Sequence, residues 1–162
     1  MTAHVIQSAG WIVYYMAANG KPRFLLIKRH AMSGKIERVA PKGKMQAGET
    51  PEQAAVREVS EETGLPTQSL FVRQKIGSTS LRSTENQKWR MDKDVTYFLM
   101  HYDGDPTAVD VQPGEGYLGI YKWADIQDVL WLIYYQNMRE LFIEADNIIQ
   151  TLSVKDNFVK NL

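Results

Sequence analysis

The segment from Thr50 to Gly64 constrains the fold most, because it specifies both ends of one helix. Thr50 is a side-chain N-cap, Pro51 suits the first helical position, and Gln53 completes a capping box. Gly64 suits the position just past the end, where a left-handed residue closes the last turn. The helix predicted over 51–63 carries Val56 and Val59 at i and i+3, with Thr63 a turn further on. That spacing marks a buried stripe, so the helix must cover an apolar surface.

The flanking segments supply that surface. Val5 to Ala17 is rich in β-branched and aromatic residues and predicts a strand. Asn19-Gly20 is a turn signal, and Arg23 to Arg29 predicts the partner strand. Ala31 to Gly48 reads mostly as loop, punctuated by Gly34, Pro41, Gly43 and Gly48. Beyond the helix, Leu70 to Leu81 and Val95 to Tyr102 read as strands, separated by a polar loop over Arg82 to Asp94. Tyr117 to Trp123 reads as a further strand, and Asp125 to Leu130 as a short helical piece. Tyr134, Met138, Leu141, Phe142, Ala145, Ile148 and Ile149 then recur at helical spacing, which predicts an amphipathic helix on the core. Fraying is expected after about Thr151. Strands, helix, strands, helix is the order of an α/β chain, a mixed sheet with helices on its faces in an α/β/α sandwich. With 162 residues the chain suits one domain, taken as 1–150, followed by 151–162 as a C-terminal tail or helix extension.

Bulk chemistry narrows the function. Nineteen basic residues balance nineteen acidic ones, so no global charge favours nucleic acid or a membrane surface, and any anion site must be local. The absence of cysteine excludes disulfides, thiol catalysis and zinc–thiolate sites. Met1-Thr2-Ala3-His4-Val5-Ile6 lacks the features of a signal peptide, and no apolar run is long enough to span a bilayer. The expectation is a cytoplasmic monomer or homodimer whose partner is a small molecule.

The helix also carries Glu58, Glu61 and Glu62 at i, i+3 and i+4. Three carboxylates on one side repel each other and weaken a helix, and a divalent cation offsets that cost directly. Carboxylate oxygens are hard ligands, suited to Mg²⁺ or Mn²⁺. Alone, such a run is more often a solvated helix face. Its context reads Gly43-x5-Glu49-x7-Arg57-Glu58-Val59-x-Glu61-Glu62-x-Gly64-Leu65. A P-loop is excluded, because Gly43-x4-Gly48-Glu49-Thr50 puts an anionic Glu49 where that motif needs its phosphate-binding lysine.

At every fixed position this pattern resembles the signature of the Nudix hydrolases. The resemblance implies a Nudix-type α/β/α sandwich and a Glu49–Arg57 pair that holds loop to helix. It implies that Glu58, Glu61 and Glu62 bind Mg²⁺ (Mn²⁺ being possible), helped by the backbone carbonyl of Lys42. The activity implied is hydrolysis of a nucleoside diphosphate linked to another group. Water attacks one phosphorus in line while the other phosphate leaves. Arg57, Glu58 and Glu61 are the catalytic candidates of the box. Glu58 is the first choice for the base, and Glu115, in Pro113-Gly114-Glu115-Gly116, is the candidate beyond it, ahead of Glu85. For phosphate binding the nearest cations are Lys42 and Lys44, which flank Gly43, followed by Arg29. Lys88, Arg90 and Lys93 belong to the 82–94 segment and could close over a ligand. Trp89 and Tyr97 could stack on a base, whereas Trp11, Trp123 and Trp131 read as core or interface. The three histidines show no metal spacing.

Pro41-Lys42-Gly43-Lys44, Lys93 to Leu99 and Tyr134-x-x-Asn137-x-Arg139-Glu140-Leu141 resemble the branch that acts on diadenosine and diphosphoinositol polyphosphates. This favours a dinucleoside polyphosphate such as diadenosine tetraphosphate. The stretch Ser80-Leu81-Arg82-Ser83 lacks the tyrosine usual in diadenosine tetraphosphate hydrolases and the proline usual in ADP-ribose enzymes. Modified or oxidised nucleoside triphosphates, ADP-sugars and RNA 5′ ends therefore stay open as substrates, as does a domain that only senses a nucleotide.

Overall fold

Alternation of apolar side chains along the strands builds one sheet with two buried faces. The computed structural model describes residues 4–30, 36–40, 42–81, 91–114 and 117–160. β1 (His4–Met16) and β2 (Pro22–His30) form the first hairpin, pairing antiparallel from Tyr14↔Phe24 to Met16↔Pro22. β6 (Met91–Tyr102) runs parallel to β1 and antiparallel to β5 (Leu70–Leu81). β3 (Ile36–Val39) borders β2, and the sheet order is β3-β2-β1-β6-β5. β4 (Lys42–Lys44) pairs with β1, and β7 (Tyr117–Ala124) pairs with β2. One parallel pair among antiparallel ones makes the sheet mixed, as the element order predicts.

Period-two alternation sorts the core. Trp11, Val13, Leu25, Ile27, Phe98 and Met100 face one side, under α1 (Pro51–Thr63). Ile12, Tyr14, Phe24, Leu26, Val95 and Leu99 face the other. That second side is covered by α2 (Ile126–Leu132) and α3 (Gln136–Lys160) through Val129, Phe142, Ala145 and Ile149. The result is the α/β/α sandwich expected from sequence.

α1 matches its predicted bounds and caps. Thr50 Oγ1 accepts from the Gln53 amide at 3.1 Å, Gln53 returns the bond at 3.0 Å, and Gly64 closes the helix at φ 71°. Its buried stripe is Ala54, Ala55, Val59 and Thr63, whereas Val56 is only partly covered. The two alanines allow close approach to the sheet, and this leaves Val56 at the margin of the contact.

Other bounds differ for tertiary reasons. The predicted 31–48 loop contains β3 and β4, whose partners are distant strands rather than neighbours in sequence. β6 begins at Met91 instead of Val95, because backbone pairing to β1 from Met91 and to β5 from Lys93 holds its first residues extended. Tyr134 precedes α3 and is exposed, so it leaves the predicted stripe, and the helix continues past Thr151 to Lys160. Trp11 is core, and Trp131 is 87 % exposed. Among the described residues, no helix is long and apolar enough to cross a membrane.

Candidate active site

The loop before α1 is tied to the sheet first. β4 pairs Lys42 with Gly10, Gly43 with Ala9 and Lys44 with Ser8, which lays the box glycine against β1. Gly48 then turns at φ 81° into the cap of α1. Glu49 Oε2 accepts from the Gln46 amide at 2.8 Å, closing that turn.

Arg57 joins loop to helix. Its Nε and Nη2 donate to the two Glu49 oxygens at 2.5 and 3.1 Å, a fork-to-fork pair. Nη2 also donates to the Lys44 carbonyl at 3.1 Å. Nη1 reaches Glu58 at 2.9 Å and Glu61 at 3.2 Å. The Glu49 bond raises the Arg57 pKa and, from the other side, Arg57 holds the Glu49 carboxyl below its usual range. The Glu49–Arg57 pair implied by the resemblance is thus present.

The carboxylates are less crowded than their spacing suggests. Glu58 lies over Gly43 so closely that a Cβ there would overlap its carboxylate. Glu61 is 59 % exposed and drawn outward by Arg57. Glu62 turns toward β7, with one oxygen buried and its charge acting on Tyr117. Among the described residues, no three acidic or histidine side chains converge as a ready-made metal cage. Like charges on one helix face spread apart when an arginine is within reach. The donor set nonetheless fits a divalent cation. It offers hard oxygens, one carboxylate held on bare backbone, and another with one oxygen out of water. Glu58, Glu61, Glu62 and the Lys42 carbonyl beside Gly43 are the groups that would hold it.

Beside this cluster is a cavity of about 250 Å³, lined from β2, β3, β4, β5, β6 and the start of α3. Three of the predicted substrate residues, Arg29, Lys42 and Tyr97, meet on its wall. Arg29 donates to Glu37 at 3.0 Å, and its charge acts on the Tyr117 phenol. Burial, then the Glu62 charge, raises the Tyr117 pKa above its ordinary value. Tyr97 is only 3 % exposed, and burial pushes its phenol up to about 12. Its ring lies on Gly10, so it forms cavity wall and not the open stacking platform expected from sequence.

Lys44 is not among the cavity-lining residues, and the atom it contributes here is its carbonyl. Lys93 is placed only as a backbone position in β6, opposite Ile6 and Leu81. Glu115, Glu85, Lys88, Trp89 and Arg90 lie outside the described residues. Sequence reasoning missed Glu37, Arg38 and Tyr117. The polar pair Glu37-Arg38 between apolar Ile36 and Val39 was the available signal, masked by Gly34 and Pro41 on either side. Tyr117 had none, because its position follows from the β2–β7 register, which shifts between Ile27 and Arg29.

A capped helix that presents carboxylates around an arginine, next to a cavity carrying Arg29, Arg38 and Lys42, offers groups that suit a metal ion and a phosphate. Comparison with known proteins gives this class of site its name. The NUDIX domain family model matches residues 8–145, and the chain belongs to that family. It is 28 % identical over 137 residues to the Caenorhabditis elegans bis(5′-nucleosyl)-tetraphosphatase (asymmetrical), covering 85 % of this chain and 91 % of that one. It is 31 % identical over 128 residues to the Mycobacterium tuberculosis protein named as mutator protein MutT4. That match covers 78 % of this chain but only 48 % of the relative, about half its length. A crystal structure of a C. elegans Ap4A hydrolase binary complex superposes with a TM-score of 0.70 at 25 % identity, covering 90 % of this chain and 98 % of that one.

Proposed function

We propose that this chain is a divalent-metal-dependent pyrophosphohydrolase, with Mg²⁺ as the resident ion and a dinucleoside polyphosphate as substrate. The observation that carries the reading is the Glu58 carboxylate seated on Gly43 and clamped by Arg57, one residue from the cavity-lining Lys42. The name of the tetraphosphatase relative supports the substrate class. When bound, the cation would neutralise pyrophosphate charge and lower the pKa of a water.

The chain's own residues do the rest. Lys42 and Arg29 face the polyphosphate, and the cavity takes a nucleoside. Arg57 fixes loop and helix so that the carboxylates keep their geometry. A water oxygen bonds to one phosphorus, the bridging P–O bond breaks, and the leaving phosphate keeps that electron pair. Glu58 accepts the water's proton, with Glu115 as the alternative base.

The test is a substrate panel in Mg²⁺ comparing diadenosine tetraphosphate, ADP-ribose, 8-oxo-dGTP and a diphosphoinositol phosphate, with products separated by chromatography. Cleavage of diadenosine tetraphosphate to two nucleotides is expected. Absence of cleavage of any of the four, at every Mg²⁺ or Mn²⁺ concentration, would reduce the domain to a nucleotide sensor. Comparing the pH–rate profiles of Glu58→Gln and Glu115→Gln identifies the base, since only its loss removes the acidic limb.

A further inference from the structure

Of the cations on the cavity wall, Arg29 is paired with Glu37. Arg38, the next residue along β3 from Glu37, also lines the cavity. Its Nη1 is shielded from solvent and has no hydrogen-bond partner among the described residues. A guanidinium nitrogen kept out of water without an acceptor is costly, and a ligand that brings an acceptor removes the cost. The surroundings indicate which acceptor. Val39, Ala40, Val95, Ile133 and Met138 supply apolar wall to the same cavity, which suits a flat ring.

We infer that Arg38 is a specificity-determining residue that reads the base, and that the cavity takes a 6-oxopurine nucleoside in preference to a 6-aminopurine one. Guanidinium is a donor-only fork. A 6-oxopurine presents two adjacent acceptors, O6 and N7, which match that fork, whereas a 6-aminopurine turns a donor toward it at the first of these positions. The inference rests on the nucleotide reading proposed above and adds the identity of the base.

The experiment is calorimetric binding of GMP, AMP and ribose 5-phosphate to the full chain and to Arg38→Gln, paired with kcat/KM for diguanosine and diadenosine tetraphosphate. GMP is expected to bind roughly 10-fold or more tightly than AMP, with the same order in kcat/KM, and Arg38→Gln should erase the difference by weakening only the guanine ligands. Equal binding of GMP and AMP, or binding of neither, overturns the inference. So does an equal loss for all three ligands in Arg38→Gln, because Arg38 then meets phosphate. The apo melting temperature separates a fold effect. Removing an unpartnered buried donor should leave it unchanged or raise it, whereas a structural arginine would lower it. The two readings fail separately. Arg38-dependent GMP preference without cleavage sinks only the hydrolase, and cleavage without base preference sinks only the reading of Arg38.

Discussion

At Gly43 the absence of a side chain is what lets Glu58 reach its position. Gly43→Ala would push the Glu58 carboxylate off the backbone, while β4 could still pair with β1. The expected result is a loss of kcat on the order of 10²-fold, the cost of about 1 Å of misplacement, with an unchanged circular dichroism spectrum. Near-wild-type turnover would show that the seat is incidental. Glu49 is the second such residue. Arg57 holds its folded pKa below the unfolded value of about 4.3. A carboxyl depressed in this way contributes stability that is complete above its unfolded pKa and is lost as pH falls through the lower folded one. Glu49→Gln should therefore flatten the acid limb of the stability curve, read as melting temperature between about pH 5 and pH 3. An acid limb identical to wild type would mean the clamp adds nothing to folding.

The capping box sets where α1 starts and therefore which residues reach the site. Thr50→Ala removes the acceptor for the Gln53 amide and should cost about 1 kcal/mol, seen as a lower urea midpoint at constant slope. A changed slope would point to an altered denatured state instead. α1 was legible residue by residue, because caps and the left-handed Gly64 are local chemistry. Its carboxylate run was legible as a pattern but not as an arrangement. Arg57 redistributes Glu58 and Glu61, and only the fold puts Glu62 beside Tyr117. β3 and β4 were not legible, since short strands exist only by virtue of distant partners.

Over the whole molecule, α3 closes the second face of the sheet through Phe142, which is fully buried and meets Phe24 edge-on at 5.6 Å. Phe142→Ala should cost about 3–5 kcal/mol in chemical denaturation, far more than Thr50→Ala. A cost below that of the cap would mean α3 is a loose appendage. By itself the sequence determined the alternation that makes two buried faces and the helix that carries the carboxylates, which are set by periodicity and capping over short stretches of chain. The clamp between Glu49 and Arg57 was implied by the family resemblance. The tertiary structure alone decided that Arg29, Arg38, Lys42 and Tyr97 share one cavity and that Tyr97 is wall rather than platform. That assembly depends on strand register, and register is fixed by burial across the whole sheet, which no local pattern contains.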